Sequence, residues 1–188
     1  MFRQGSIAAV LVGLAAGIAA GAPGERKLTV YMLDGPIRCT ISVRGRAVAS
    51  KIFDRIGVKI EWRSGAPRRE AVVEGRRIIV DFSTETPGEF HPGALGYAEV
   101  YEGAKITVFY DRVRTLTPQT AGVTLVHVLA HEITHLLEGV NRHSETGLMK
   151  AHWSVDDFAR MAWKPLEFTP LDVQLIEDAF ASRAAAAN

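Results

Sequence analysis

The stretch His131-Glu132-Ile133-Thr134-His135 constrains the chain more than any other. Residues four apart on a helix lie ~40° apart around its axis and one turn apart along it, so both imidazoles project from one face. Two imidazoles at that spacing can share one zinc ion. Glu132 stands beside them, able to lean toward a water without being a ligand itself. Gly139 supplies a left-handed residue that ends the helix, after which the chain turns and His143 returns as the third candidate ligand. Three protein ligands leave a fourth position open, and an open position separates a catalytic zinc from a structural one. Glu138, Glu145 and His152 are alternatives to His143. Asn141 is not, because an amide is a poor zinc ligand.

Upstream, Leu125, Val126, Val128 and Leu129 give this helix enough apolar surface to be the central helix of a domain. Thr117-Pro118 reads as its start, with Thr117 as cap and Pro118 in the first turn, where a missing N–H costs nothing. His127, one turn before His131 on the same stripe, reads as a core histidine satisfied by a hydrogen bond rather than as a ligand. His91 falls in a segment rich in proline and glycine, Ser83 to Leu95, and is expected to face solvent.

The helix, its glycine turn, His143-Ser144 and Gly147-Leu148-Met149 resemble the metzincin metalloproteases, whose pattern is H-E-x-x-H-x-x-G-x-x-H with a later Met-turn. Here the glycine comes one residue later than in that pattern and the third histidine two residues later. The sequence is more similar to short, secreted, bacterial metzincin-like peptidases with a longer glycine turn and a G-[ILV]-M-[KR]-A-x-W tail, matched by Gly147, Leu148, Met149, Lys150, Ala151 and Trp153. The resemblance is strong over Val126 to Trp153, looser over Leu28 to Arg114, and silent on substrate. It implies a zinc endopeptidase with one catalytic Zn2+ held by His131, His135 and His143, and with Glu132 as general base. Met149 would form a hydrophobic floor beneath the metal, and an edge strand above it would receive an extended peptide. No tyrosine closely follows Met149, so the extra tyrosine ligand of some metzincins has no counterpart. Two other readings belong to different classes: a non-catalytic zinc-binding module, for which Glu132 would have no use, and a zinc hydrolase of a non-protein substrate such as peptidoglycan peptides.

The remaining sequence supplies the setting. Met1 to Arg3, the apolar run Ile7 to Ala20 and the small residues Ala20-Gly21-Ala22 read as a secretory signal cut after Ala22, leaving a single domain over residues 23–188. Arg3 is the only charged side chain in residues 1–22, so its removal takes the formal charge from +1 to 0. A neutral chain of this kind points away from nucleic acid and from a charged membrane surface. A secreted or periplasmic protein acting on peptide or protein substrates, with no stable membrane association after cleavage, is expected.

The only cysteine, Cys39, rules out an intrachain disulfide. Its neighbours Pro36 to Arg38 resemble the cysteine switch of some metzincin precursors, but the signal leads almost directly into the first strand, and a buried thiol is the better reading.

Strands are expected over Leu28 to Leu33, Val58 to Trp62 and Arg76 to Phe82, with a hairpin from Gly96 to Tyr101 and Lys105 to Tyr110. An amphipathic helix is expected over Arg38 to Ile56, and two more over Val155 to Met161 and Pro170 to Ala184. Arg63 to Gly75 reads as a solvated connection. The result is an α/β (α+β) fold, a single mixed sheet covered by helices with the active-site helix beneath it.

Overall fold

The structure, a computed structural model, describes residues 26–33, 43–67, 76–101 and 104–186. The expected signal segment, Asp34 to Pro36, Cys39, residues 68–75 of the expected arginine-rich connection, and Glu102 and Gly103 lie outside the described residues. Five strands form one sheet: β1 (Arg26–Met32), β2 (Val58–Ser64), β3 (Arg76–Ser83), β4 (Gly96–Ala98) and β5 (Lys105–Phe109), in the order β2-β1-β3-β5-β4. β1 pairs in parallel with β2 and β3, and β3 in parallel with β5, while β4 runs antiparallel to β5 and forms one edge. The expected mixed sheet and its hairpin are both present.

Apolar alternation explains the strands. Ile78 and Val80 turn inward from β3, while Arg77, the residue before Ile78, is exposed. Central β1 is buried from Leu28 to Met32, Thr29 and Tyr31 included, as a strand covered on both faces should be. Leu28, Val30, Ile78, Val80, Ile106 and Val108 share a core with Ile52 and Phe53 of α1 (Val43–Asp54) and with Leu125, Leu129, Ile133 and Leu136 of α3 (Ala121–Glu138). Each such side chain contributes about 1.5–3 kcal/mol by leaving water. The core therefore grips α3 along its length and fixes it against β4 and β5.

The expected helix start at Thr117 and Pro118 is not what forms. Tyr110–Leu116 makes its own short helix, α2, and α3 begins at Ala121. Proline lacks the N–H that would continue a helix, and it disfavours helical backbone in the residue before it. Thr117 accordingly lies at φ −135, ψ 64, and both its amide and its hydroxyl donate to the Val113 carbonyl at 3.0 Å. Pro118 thus ends one helix instead of opening the next. Thr120 is the N-cap of α3, with no side-chain capping bond.

Beyond α3 lie α4 (Val155–Met161) and α5 (Pro170–Ala186), close to expectation. Ser154 and Asp157 form a reciprocal capping box at α4. At α5 the Thr169 amide donates to Asp172 at 2.7 Å and the Asp172 amide to the Thr169 hydroxyl at 3.3 Å. No helix among the described residues is long and apolar enough to cross a membrane.

Candidate metal centre

Helix α3 ends as its sequence requires. Gly139 adopts φ 71 in the left-handed region, and its N–H donates to the His135 carbonyl at 3.0 Å. The chain then folds back, with the Ser144 amide donating to the Met149 carbonyl and the Leu148 amide to the Glu167 carbonyl, each at 2.8 Å. This turn carries His143 to the face of α3 that holds His131 and His135. Ligating nitrogens of the three histidines all lie within 4.8 Å of one another, with His131 and His135 buried and His143 exposed.

Hydrogen bonds fix which nitrogen of each buried ring is free. His131 Nδ1 lies 2.9 Å from the Leu148 carbonyl and His135 Nδ1 3.3 Å from the Val140 carbonyl. A carbonyl can only accept, so both Nδ1 atoms carry the proton and both Nε2 atoms present lone pairs. Those two Nε2 atoms face each other at 3.0 Å. Two acceptors hold that position comfortably only around a shared cation, and tetrahedral zinc with Zn–N near 2.0–2.1 Å would separate its ligand nitrogens by roughly 3.3 Å. Burial holds the His131 ring down at about 3 and the His135 ring at about 4, with the neighbouring imidazoles adding to the effect. Neutral rings are the ligating form. The donor set, its tautomers and its protonation state all fit a zinc ion.

Glu132 lines the same cavity, which has a volume of about 560 Å³. Its carboxyl is buried, and that burial pushes it up to about 8. A carboxyl in that range can both take and release a proton near neutrality, and a nearby divalent cation would draw it back down.

Other sequence candidates fall elsewhere. Glu138 turns to Arg142, and Glu145 stays on the surface. His152 lines the cavity outside the three-histidine group, as do His91 and Asn141. His127 is a satisfied core residue, its Nδ1 donating to the Val123 carbonyl at 2.8 Å and its Nε2 accepting from the Leu166 amide at 3.2 Å. Met149 is fully buried in the turn that follows His143.

Two contributions were missed. Gly96, at the start of β4, lies so close to Glu132 that an added Cβ would come within 2.9 Å of its Cγ and Oε1. A glycine inside a strand pattern is the signal of such close approach. Arg142, next to His143, donates to Asp172 at 2.6 Å and more loosely to Glu138 at 3.3 Å. Asp172 is wholly buried, so this bond ties the histidine turn to α5. Burial outweighs the pull of Arg142 on Glu138 and pushes that carboxyl up to about 7.

A single mixed sheet with a histidine-bearing helix packed beneath its antiparallel edge strand, and three imidazoles converging at that helix's end, define an α/β fold with a site able to hold a metal ion. Among solved structures the fold is similar to archaemetzincin from Methanopyrus kandleri, with a TM-score of 0.53 over 86% of this chain and 99% of that one, at 18% sequence identity. No family model and no curated protein matches the chain.

Proposed function

We propose that the chain is an exported zinc peptidase, with His131, His135 and His143 holding one zinc ion and Glu132 acting as general base. The observation that carries this reading is the pair of Nε2 lone pairs facing each other at 3.0 Å beside His143, with Glu132 in the same cavity. Zinc bound there supplies Lewis acidity toward water and toward a peptide carbonyl oxygen. The chain's own residues do the rest. A Glu132 carboxylate oxygen takes the proton from a water that attacks the carbonyl carbon and passes it to the departing amine nitrogen. Among the described residues β4 leaves one edge of the sheet unpaired, to which an extended peptide adds by main-chain hydrogen bonds. Val128, Trp153 and Phe158 line the cavity with apolar surface and keep it dry around the reacting groups. Export rests on the amino-terminal segment read from the sequence.

Zinc content by elemental analysis, together with casein cleavage, tests this reading in the wild type and in Glu132→Ala. The expected result is one zinc per chain in both proteins and cleavage in the wild type alone. No zinc in the wild type would overturn the reading, and zinc with no cleavage would favour a binding module or a narrower substrate.

A further inference from the structure

Five of the six histidines line one cavity, two more than the candidate metal group uses. The extra two, His91 from the loop before β4 and His152 from the segment after Met149, face each other with ring centroids 6.3 Å apart and planes inclined by 39°. Gly93 lies between them, and a Cβ there would touch both rings, at 3.7 Å from His91 Nδ1 and 3.6 Å from His152 Cε1.

The hydrogen bond at His91 gives that ring the opposite tautomer from His131 and His135. The Gly93 amide donates to His91 Nδ1 at 3.2 Å, so in the neutral ring Nε2 carries the proton. This ring therefore offers a donor where the buried pair offers lone pairs. His152 makes no hydrogen bond to the described residues, and both rings are exposed. Lys150, the one lysine or arginine lining the cavity, is engaged by Asp157. Among the described residues the sole acidic side chain of the lining is Glu132, to which the proposed reaction gives its own task. The cavity thus has two uncommitted imidazole donors, spaced so that each can reach one oxygen of the same group, and among the described residues no second acid to repel an anion.

We propose that His91 and His152 form a carboxylate-binding pair at the rim of this cavity, selecting peptides that present a carboxylate there. The inference rests on the peptidase reading for its substrate, but the binding itself does not need the metal. Two sources supply the same group: a peptide's C-terminal carboxylate, and an aspartate or glutamate side chain.

Calorimetric titration distinguishes them. One pair of peptides of identical sequence differs in a free or amidated C-terminus. A second pair, both amidated, differs in one Glu or Gln. Each is titrated into the Glu132→Gln protein, zinc-loaded and metal-free, with and without His91→Phe and His152→Phe, which keep the rings and remove the donors. The carboxylate member of one pair is expected to bind about tenfold more tightly, with or without metal, and to lose that advantage in the double variant. The pair that shows the advantage identifies the source. Equal binding within both pairs overturns the proposal, as does an advantage that survives the double substitution or vanishes with the metal. Absence of zinc from the wild type would instead count against the peptidase reading and leave the metal-free titration to decide the pair.

Discussion

A methyl group at Gly96 would sit 2.9 Å from Cγ and Oε1 of Glu132, well inside van der Waals contact. The proposed base and the edge strand are therefore fitted to each other at a single position. Gly96→Ala is expected to lower kcat for peptide hydrolysis roughly 10- to 100-fold, because a displacement of about an ångström at a reacting group has that effect. Zinc content should be unchanged, since neither residue is a proposed ligand, and elemental analysis beside the kinetics separates the two properties. Gly147 shows the other extreme. It adopts φ 76, and a Cβ there would lie 2.3 Å from the Glu167 carbonyl oxygen, which also accepts the Leu148 amide. A backbone atom cannot step aside as a side chain can. Gly147→Ala should cost about 3 kcal/mol or more of unfolding free energy in urea melts.

Among the elements, the α4 cap depends on one carboxylate. Burial pushes Asp157 up, but hydrogen bonds from Lys150 and Ser154 prevail and hold it below its ordinary range. A carboxyl whose folded pKa is depressed stabilises the fold above its unfolded value near 3.8, and that contribution fades as pH falls through the folded value. Thermal melts should therefore show stability dropping below about pH 4, with a shallower drop in Asp157→Asn. At α5, Asp172→Ala removes both a cap and the shorter of the two carboxylate contacts of Arg142, leaving that half-buried cation only Glu138 at 3.3 Å. A loss of about 3 kcal/mol is expected, with weaker zinc retention under dialysis because Arg142 adjoins His143.

The elements also mark what could be read from the sequence. The helix carrying His131 and His135 was legible because its apolar spacing and Gly139 are local signals. Its start was not, because Pro118 suits either the first turn of one helix or the end of another. Burial of Val113 and the turn of Thr117 decide between those roles. Helix α2 has no legible signal, because Tyr110–Leu116 buries one residue, Val113, too little to set a period. The three proposed ligands could be named as candidates, but not the tautomers that free the Nε2 atoms of His131 and His135, which carbonyls of Leu148 and Val140 impose. The facing of His91 and His152, and of Arg142 and Asp172, joins residues far apart in the chain, and no local pattern announces it.

For the whole molecule, a bound metal would add to the contacts that already hold the histidine turn against α3. A metal held by two residues of α3 and one of the following turn binds the folded chain far better than the unfolded one. At a free concentration about 1,000 times its Kd it would add about 4 kcal/mol. Calorimetric scans should therefore show a melting temperature roughly 10 °C lower after chelation, given about 2–4 °C per kcal/mol at this size. Readdition of zinc should restore it, and a His135→Ala protein should show no such response.

The hydrogen bonds that organise the candidate metal site run backward along the order of synthesis. His131 is oriented by Leu148, the turn at Leu148 is held by Glu167, His127 is bonded to Leu166, and Arg142 is bonded to Asp172. A nascent chain that has completed the long helix still lacks the carbonyls and the aspartate that aim its imidazoles. Residues through Asp172 must therefore be made before the three imidazoles are held together, and on the proposed reading a chain cut short of them would be inert. On the proposed peptidase reading, the order in which the residues emerge would then shield a producing cell from its own unfinished product.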